Sequence, residues 1–550
     1  MMPMKQMKRL TALMLSLILT VSLAGCGNKE KAMFTLSVAV GDRYESLDPI
    51  YAVTEGDRSI IAHLSENLMK LTVDAEGNTT AGYGLAKSVE QETNVDGTVT
   101  YTFRLRSAKW SDGENVTADD FVYAWQRLAC PVNASPHAKL MSEVCGYEEV
   151  QETGDVTKLA VSAKNETTLV VTLKGDHAWF LSDVCTDPAA VAVRRGLVPS
   201  EPHVTEEVVE VASTDTLWWE DLKSLVLSGP YVAESAGTEY LRLVRNEQYY
   251  NYDKVPGPDA IAFRFADTAQ EAMSLYEKGE VDAVWPVAVT EENAIPELYT
   301  YALIFNCSAF PFQDQVLRQA VMKTLDRSAL AALAGGEAAV ALVPYGVPDS
   351  EAKDFRSCAG ALMDNSPELY AQRCAEAMAM IQSAGYQSGK DLGTLHYIYV
   401  DEGTNGAVAE ELCRELNSML GMNISPVPMT RESMEEAIAT GNFFMAGVEV
   451  TSYINDAEGF LMQWASDAKE NVMGYQNTAY DTLMSIISTA PDGTARLGCL
   501  HDAEELLMDD APLAPIYTTS TAWELRDTIT GVFRDERGWF GFMGAIKRTV

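Results

Sequence analysis

Apolar and polar positions alternate along this chain in two rhythms. From Phe34 to Val40 (FTLSVAV) and from Thr100 to Arg106 (TYTFRLR) the period is two, which predicts half-buried strands. Tyr101, Phe103 and Leu105 then face one way, and Leu169 to Leu173 predicts a third strand. Elsewhere the period lengthens to that of a helix. Thr117, with Asp120 three residues on, opens a helix that gathers Phe121, Val122, Ala124, Trp125 and Leu128 on one face. Thr268 to Glu271 carries a capping-box pattern; that helix stops at Gly279, and Val281 to Trp285 resumes as a strand. Ser366 and Pro367 predict an N-cap and first helical residue. Tyr370, Cys374, Ala377, Met378 and Ile381 form the buried stripe, and Gly385 is the C-cap glycine. A further amphipathic helix runs from Val408 to Leu420 and ends at Gly421. Helices interleaved with short strands predict a mixed α/β class. No repeat, low-complexity run or Pro/Gly/Ser linker divides the chain, so its domains are expected to be discontinuous in sequence.

The length, 550 residues, suggests about three to five domains, or fewer large ones. Charge changes the picture more. Lys and Arg number 41 against 79 Asp and Glu, a formal charge of -38. Such a surface argues against a nucleic-acid partner and against electrostatic adhesion to anionic lipid. It does not argue against a covalent lipid anchor. Lys5, Lys8 and Arg9 precede an almost wholly apolar run, Leu10 to Leu23. Fourteen helical residues rise about 21 Å, short of the roughly 30 Å hydrocarbon core. The run therefore reads as a signal peptide, residues 1–25. Leu23-Ala24-Gly25-Cys26 resembles a bacterial lipobox, which would make Cys26 a diacylated first residue and 26–31 a tether. No later stretch is apolar for long enough to span a membrane.

Eight Cys remain, with Cys130/Cys145 and Cys358/Cys374 locally spaced. Buried thiols are favoured slightly over four bridges, and the sequence leaves both open. Catalytic signatures are missing. The six His form no His-Glu-x-x-His, and neither a phosphate loop nor a Gly-x-Ser-x-Gly elbow occurs. Ser466-Asp-Ala-Lys469 lacks the Lys-Thr-Gly strand its chemistry needs, so it is a coincidence of four residues. No cofactor or metal is expected.

One segment is long and specific: Lys109 to Arg127, KWSDGENVTADDFVYAWQR. It resembles the signature of the peptide/nickel/oligopeptide class of extracellular solute-binding proteins, family 5. Further blocks follow in that family's order: Ser46–Pro49, Ser228–Tyr231, Leu243–Asn246, Leu275–Ala283, Pro311–Asp314, Leu342–Pro344, Gly474–Asp481 and Ala511–Tyr517. The resemblance implies a two-lobed periplasmic-binding-protein-like clamp, type II, of the large three-domain variety. Lobe I would comprise 32–72, 187–297 and 514–550, an extra domain 73–186, and lobe II 298–513. Chain crossings near Ala288–Leu298 and Ala511–Pro515 would form the hinge.

The same resemblance implies a monomeric, lipid-anchored binding protein of an ABC importer, with the permease and ATPase subunits as partners. It would hold an oligopeptide by strand-like hydrogen bonds and do no chemistry. Val53, Thr54 and Glu55 occupy the position that lends strand contacts to peptide. Trp285 occupies an aromatic lining position, or else is a core or hinge-packing Trp. The largest departure lies between Val448 and Leu461. Peptide binders show a Trp there, then an Asp that pairs with the ligand's α-ammonium. Counted back from Phe460-Leu461, this chain has Val450, Thr451 and, at the Asp position, Tyr453. Asp456 or Glu449 would have to replace the carboxylate; otherwise a blocked, modified or non-peptide ligand is implied. A peptide-sensing receptor on the same scaffold and an exported hydrolase are the alternatives in other classes.

Overall fold

The computed structural model describes residues 34–548 apart from 42, 74–78, 205–207, 214–216, 255–256, 291, 350–352 and 492. Cys26, the signal peptide and the tether lie outside the described residues.

The opening strand, Thr35–Val40, lies inside a six-stranded sheet. It runs parallel to Ala260–Phe265 on one side and to Ala283–Trp285 on the other. Tyr231–Ala236 and Tyr240–Arg245 extend one edge, and Glu524–Leu525 closes the other. Leu36 and Val38 alternate inward onto Leu243, Ile261 and Phe263, all fully buried. A second six-stranded sheet is built on Ile295–Phe305. This strand is buried on both faces. Tyr301, Leu303 and Phe305 pack under helices Gln315–Thr324 and Asn405–Leu420. Ala302 and Ile304 pack under Thr478–Ile487 and Thr494–Asp510. Continuous apolar sequence is what a strand covered by helices on both sides requires. A third, antiparallel sheet joins Ala86–Thr93, Val99–Leu105, Thr168–Leu173 and Val161–Asn165. Helix Ala118–Ala129 covers it with Phe121, Trp125 and Leu128.

The chain passes between the first two sheets twice. One passage follows Trp285 and ends at Ile295; the other lies between Thr521 and Glu524. The two are tied together, Val287 N–H donating to the Ala522 carbonyl at 3.0 Å. The second passage corrects an expectation: Ala511–Pro515 is inside the second sheet. Leu513–Thr521 pairs antiparallel with Ile295–Phe305 across that sheet's centre, so lobe I cannot begin at 514.

Local signals acted mostly as written. Asp120 accepts both the backbone N–H (2.8 Å) and the hydroxyl (3.0 Å) of Thr117. The Thr268 hydroxyl accepts Glu271 N–H, but the Glu271 carboxylate takes the amide of Asp267, one residue earlier than a capping box has it. Ser366 makes no side-chain cap; Pro367–Leu369 forms one tight turn before helix Tyr370–Ser383. Asn405–Leu420 begins three residues before Val408 and stops at Gly421, whose φ of 65° suits glycine. The eight cysteines from Cys130 onward are free thiols. Not all are buried, contrary to the favoured reading: Cys358 is exposed, and Cys145, Cys307 and Cys499 are half-buried.

Candidate functional site

In both large sheets the parallel strands end on loops at their carboxyl edge, where α/β proteins hold ligands. Those edges are Val40, Phe265 and Trp285 in the first sheet, and Val400, Met429 and Thr451 in the second. Two stretches expected to meet a ligand can be examined there.

The first is Ile50 to Glu55. Asp48 sits fully buried, gripped by Arg127 at 2.7 and 2.6 Å and by Trp218 at 2.8 Å. Its carboxylate caps the tight turn Pro49–Tyr51. The Ile50 carbonyl accepts the Ser135 hydroxyl (2.6 Å) and the Ala52 carbonyl accepts His137 Nε2–H (2.7 Å). Thr54 then starts helix Glu55–Leu64 through a reciprocal box with Asp57. Every neighbour is pinned, which leaves Ala52 and Thr54 extended. Between them Val53 is 51% exposed. Among the described residues neither its amide nor its carbonyl has a partner. The side chains of Thr54 and Glu55 are already engaged, Glu55 with Arg534. What this stretch offers is the peptide unit of Val53.

The second stretch is Val450 to Glu458, and most of its polar side chains are engaged. Val450, expected at a ligand position, is a core residue of the second lobe, 2% exposed. Thr451 is exposed at the strand end. The Tyr453 hydroxyl lies 3.0 Å from Ser142 Oγ, with the ring edge-on to Trp179. Asp456 caps helix Ala457–Leu461 and meets Arg496 through both oxygens, at 2.9 and 3.0 Å. Glu458, buried, accepts Arg496 (2.8 Å) and Trp179 Nε1–H (3.0 Å). His177 stands 3.2 Å from Glu143 and 3.9 Å from Glu458. Asp183 takes the Asn455 amide N–H, and Arg537 donates to the Asp183 carbonyl at 2.6 Å. This loop is therefore the seam by which the second lobe rests on the antiparallel domain.

Burial shapes the charges of that seam. It pushes the Asp183 carboxyl up to about 6, against the pull of Arg537. Burial, with Asp535 adding to it, raises Glu536 to about 7. Burial raises Glu458 too, although Arg496 opposes it. Burial would also raise Glu143, but His177 and Lys174 outweigh it and hold that carboxyl low.

Trp285 is a core residue rather than a lining one. It is 3% exposed, its ring tilted against Phe540 at 4.4 Å and 6.0 Å from Phe542. Glu449 faces Arg431 at 3.6 Å, and both are exposed. Among the described residues no three His, Cys, Asp or Glu are grouped to hold a metal ion, and no helix is long and apolar enough to cross a membrane. The residues that sequence reasoning missed are His177, Trp179, Asp183 and Arg496. Asp456 caps the helix that ends the loop, but nothing local in the sequence marks the loop's partners.

The sequence profile of bacterial extracellular solute-binding proteins, family 5, matches residues 81–471. This chain belongs to that family. The probable deoxycholate-binding periplasmic protein YgiS of Escherichia coli (strain K12) is 28% identical, over 86% of this chain and 85% of its own length. The dipeptide-binding protein DppE of Bacillus subtilis (strain 168) is 24% identical over 99% and 100%. Among solved structures, the unliganded open form of the periplasmic murein tripeptide-binding protein MppA superposes with a TM-score of 0.70. It is 23% identical and covers 94% of this chain and 98% of its own. As a family 5 protein the chain has the two-lobed type II clamp, and its family consists of extracellular binding proteins rather than enzymes.

Proposed function

We propose that this protein is a lipid-anchored substrate-binding protein of an ABC importer. It captures an oligopeptide between its lobes and delivers it to the membrane permease without chemistry of its own. One observation carries the reading: Val53, exposed between two extended residues, has an amide and a carbonyl without partners among the described residues while its neighbours are pinned. A peptide backbone adds to such an edge whatever its side chains, which is sequence-tolerant recognition. The family, and the peptides named for DppE and MppA, support the same reading. Diacylation of Cys26 would place the protein on the extracytoplasmic face, where a monomer suffices.

No carboxylate on the second lobe's loop is free to meet an α-ammonium, since Asp456 is committed to Arg496 and Glu449 faces Arg431. Ligands with a blocked or modified amino end are therefore accepted. A non-peptide ligand is the second reading, favoured by the same engaged carboxylates and by the name of YgiS.

The test is native mass spectrometry of protein purified from its host, followed by titration of any co-purified ligand. A peptide bound one to one, with unfolding stabilised by about 2.7 kcal/mol at 100 times Kd and a more compact scattering profile, is the expected result. A co-purified non-peptide passes the second reading; catalytic consumption of the ligand defeats both. For the anchor, Cys26→Ser should move the protein from the membrane fraction to the soluble one.

A further inference from the structure

One cavity lies away from both stretches above. It occupies about 780 Å³ between strand Met69–Val73 and the segment 530–548. That is within the roughly 300–1,000 Å³ of small-molecule sites. Met69, Leu71, Val532 and Met543 give it apolar walls. No residue of the second lobe lines it.

Among its polar groups, three point to one chemistry. Trp539 lines the cavity at 5% exposure, and its indole N–H is buried with no acceptor. A buried donor without a partner is costly, so the site is complete only when an acceptor enters. Lys70 and Arg548 also line it, and among the described residues Arg548 has no carboxylate partner. The one lining carboxylate, Glu66, accepts the hydroxyls of Tyr249 (2.7 Å) and Tyr250 (3.1 Å) and lies 3.7 Å from the Lys70 ammonium. With Lys70 beside Glu66, Arg548 is the lining cation that no lining carboxylate compensates.

We propose that this cavity is a second binding site, for a small amphipathic organic anion. Its apolar body lies along Met69, Leu71 and Val532, and its anionic end accepts from Trp539 Nε1–H and faces Lys70 and Arg548. The site is independent of the cleft and stands whichever ligand the cleft takes.

Calorimetric titration of the full protein with dodecanoate, below its micelle concentration, tests this, with dodecyltrimethylammonium as the opposite-charge probe. We expect one saturable site for the carboxylate and none for the cation. Trp539→Phe, which keeps a ring and removes the donor, should weaken binding at least fivefold. Ala62→Trp, which fills the cavity from a half-exposed position, should abolish it. Unfolding curves of both variants establish that they fold; if Ala62→Trp does not, Trp539→Phe decides. Equal binding of the cation, dodecanoate affinity unchanged in the folded variants, or no saturable binding overturns the proposal.

Discussion

The two stretches expected to hold the ligand are built in opposite ways. Around Val53 the side chains fix the backbone and leave one peptide unit unpaired. In the loop from Tyr453 to Glu458 the side chains are themselves the structure, closed into buried pairs that join one lobe to the antiparallel domain. The first resembles an open sheet edge; the second is a polar interface held by the buried pairing of Arg496 with Asp456 and Glu458. Position in a family pattern thus says where a residue stands, but its availability depends on partners from far along the chain. Asp456 looks like a candidate amine ligand until Arg496, forty residues on, claims both its oxygens.

That contrast breaks most visibly at Arg496. Arg496→Met leaves Asp456 and Glu458 facing each other with their charge partner removed. Losing one member of a buried ionic cluster costs about 3–5 kcal/mol. Denaturant unfolding should register it, while Val53→Ala, at an exposed position, should change stability by less than about 0.5 kcal/mol. Equal, small effects at both positions would mean that the seam contributes nothing to the fold.

The next effect is one of pH. The Asp183 carboxyl, 5% exposed, is pushed from 3.8 up to about 6 by burial. A raised acid binds its proton more readily folded than unfolded. Its contribution is present below the unfolded value and is lost as pH rises through the folded one. Stability should therefore fall between about pH 4 and pH 6, by roughly 1–3 kcal/mol from this group. Asp183→Asn keeps an oxygen for the Asn455 amide and should flatten that part of the profile. The held-down Glu143 acts in the opposite sense, so the difference between wild type and variant is the quantity to measure. A profile with the same slope in both would remove Asp183 from the account.

What could be read in the sequence follows the same division. Helix starts at Thr117 and Thr268 and stops at Gly385 and Gly421 were legible because each is decided within a few residues. The family signature from Lys109 to Arg127 was legible for the same reason, being contiguous. Trp285 was not legible. A Trp ending a strand serves equally as lining or as core, and Phe540 and Phe542, which decide it, arrive some 250 residues later. Val450 likewise needed to be known as the core-facing residue between exposed Glu449 and Thr451. The second passage between the sheets was misplaced because Leu513–Thr521 is uniformly apolar at its start, as a strand in either lobe would be. The buried pairs of the seam carry no local mark at all.

On the Val53 side the expected effect is smaller and falls on binding. Val53→Pro removes the amide while leaving Ala52 in the extended region it already occupies. One net hydrogen bond is worth about 0.5–1.5 kcal/mol. Peptide affinity should drop about two- to tenfold in calorimetry, with the unfolding midpoint unchanged. Unaltered affinity would take the strand contact away from this residue.

The smallest effect belongs to the ligand's amine, and its smallness is the point. If a peptide's α-ammonium were buried against a carboxylate, acetylating it would remove a charge pair from a closed site. That typically costs a hundredfold or more in affinity, about 2.7 kcal/mol. Here Tyr453 holds the acidic position, and its phenol is engaged with Ser142 while burial keeps it protonated. A phenol accepts or donates one hydrogen bond and cannot neutralise an ammonium. Asp456 would have to abandon Arg496, and Glu449 would have to leave Arg431, before either could serve. Matched free and N-acetylated forms of a co-purifying peptide should therefore bind within about fivefold of each other, under 1 kcal/mol. A hundredfold preference for the free amine would mean that the seam opens on binding and gives up a carboxylate. Asp456→Asn would then abolish the preference, and the loop would be a ligand arm after all.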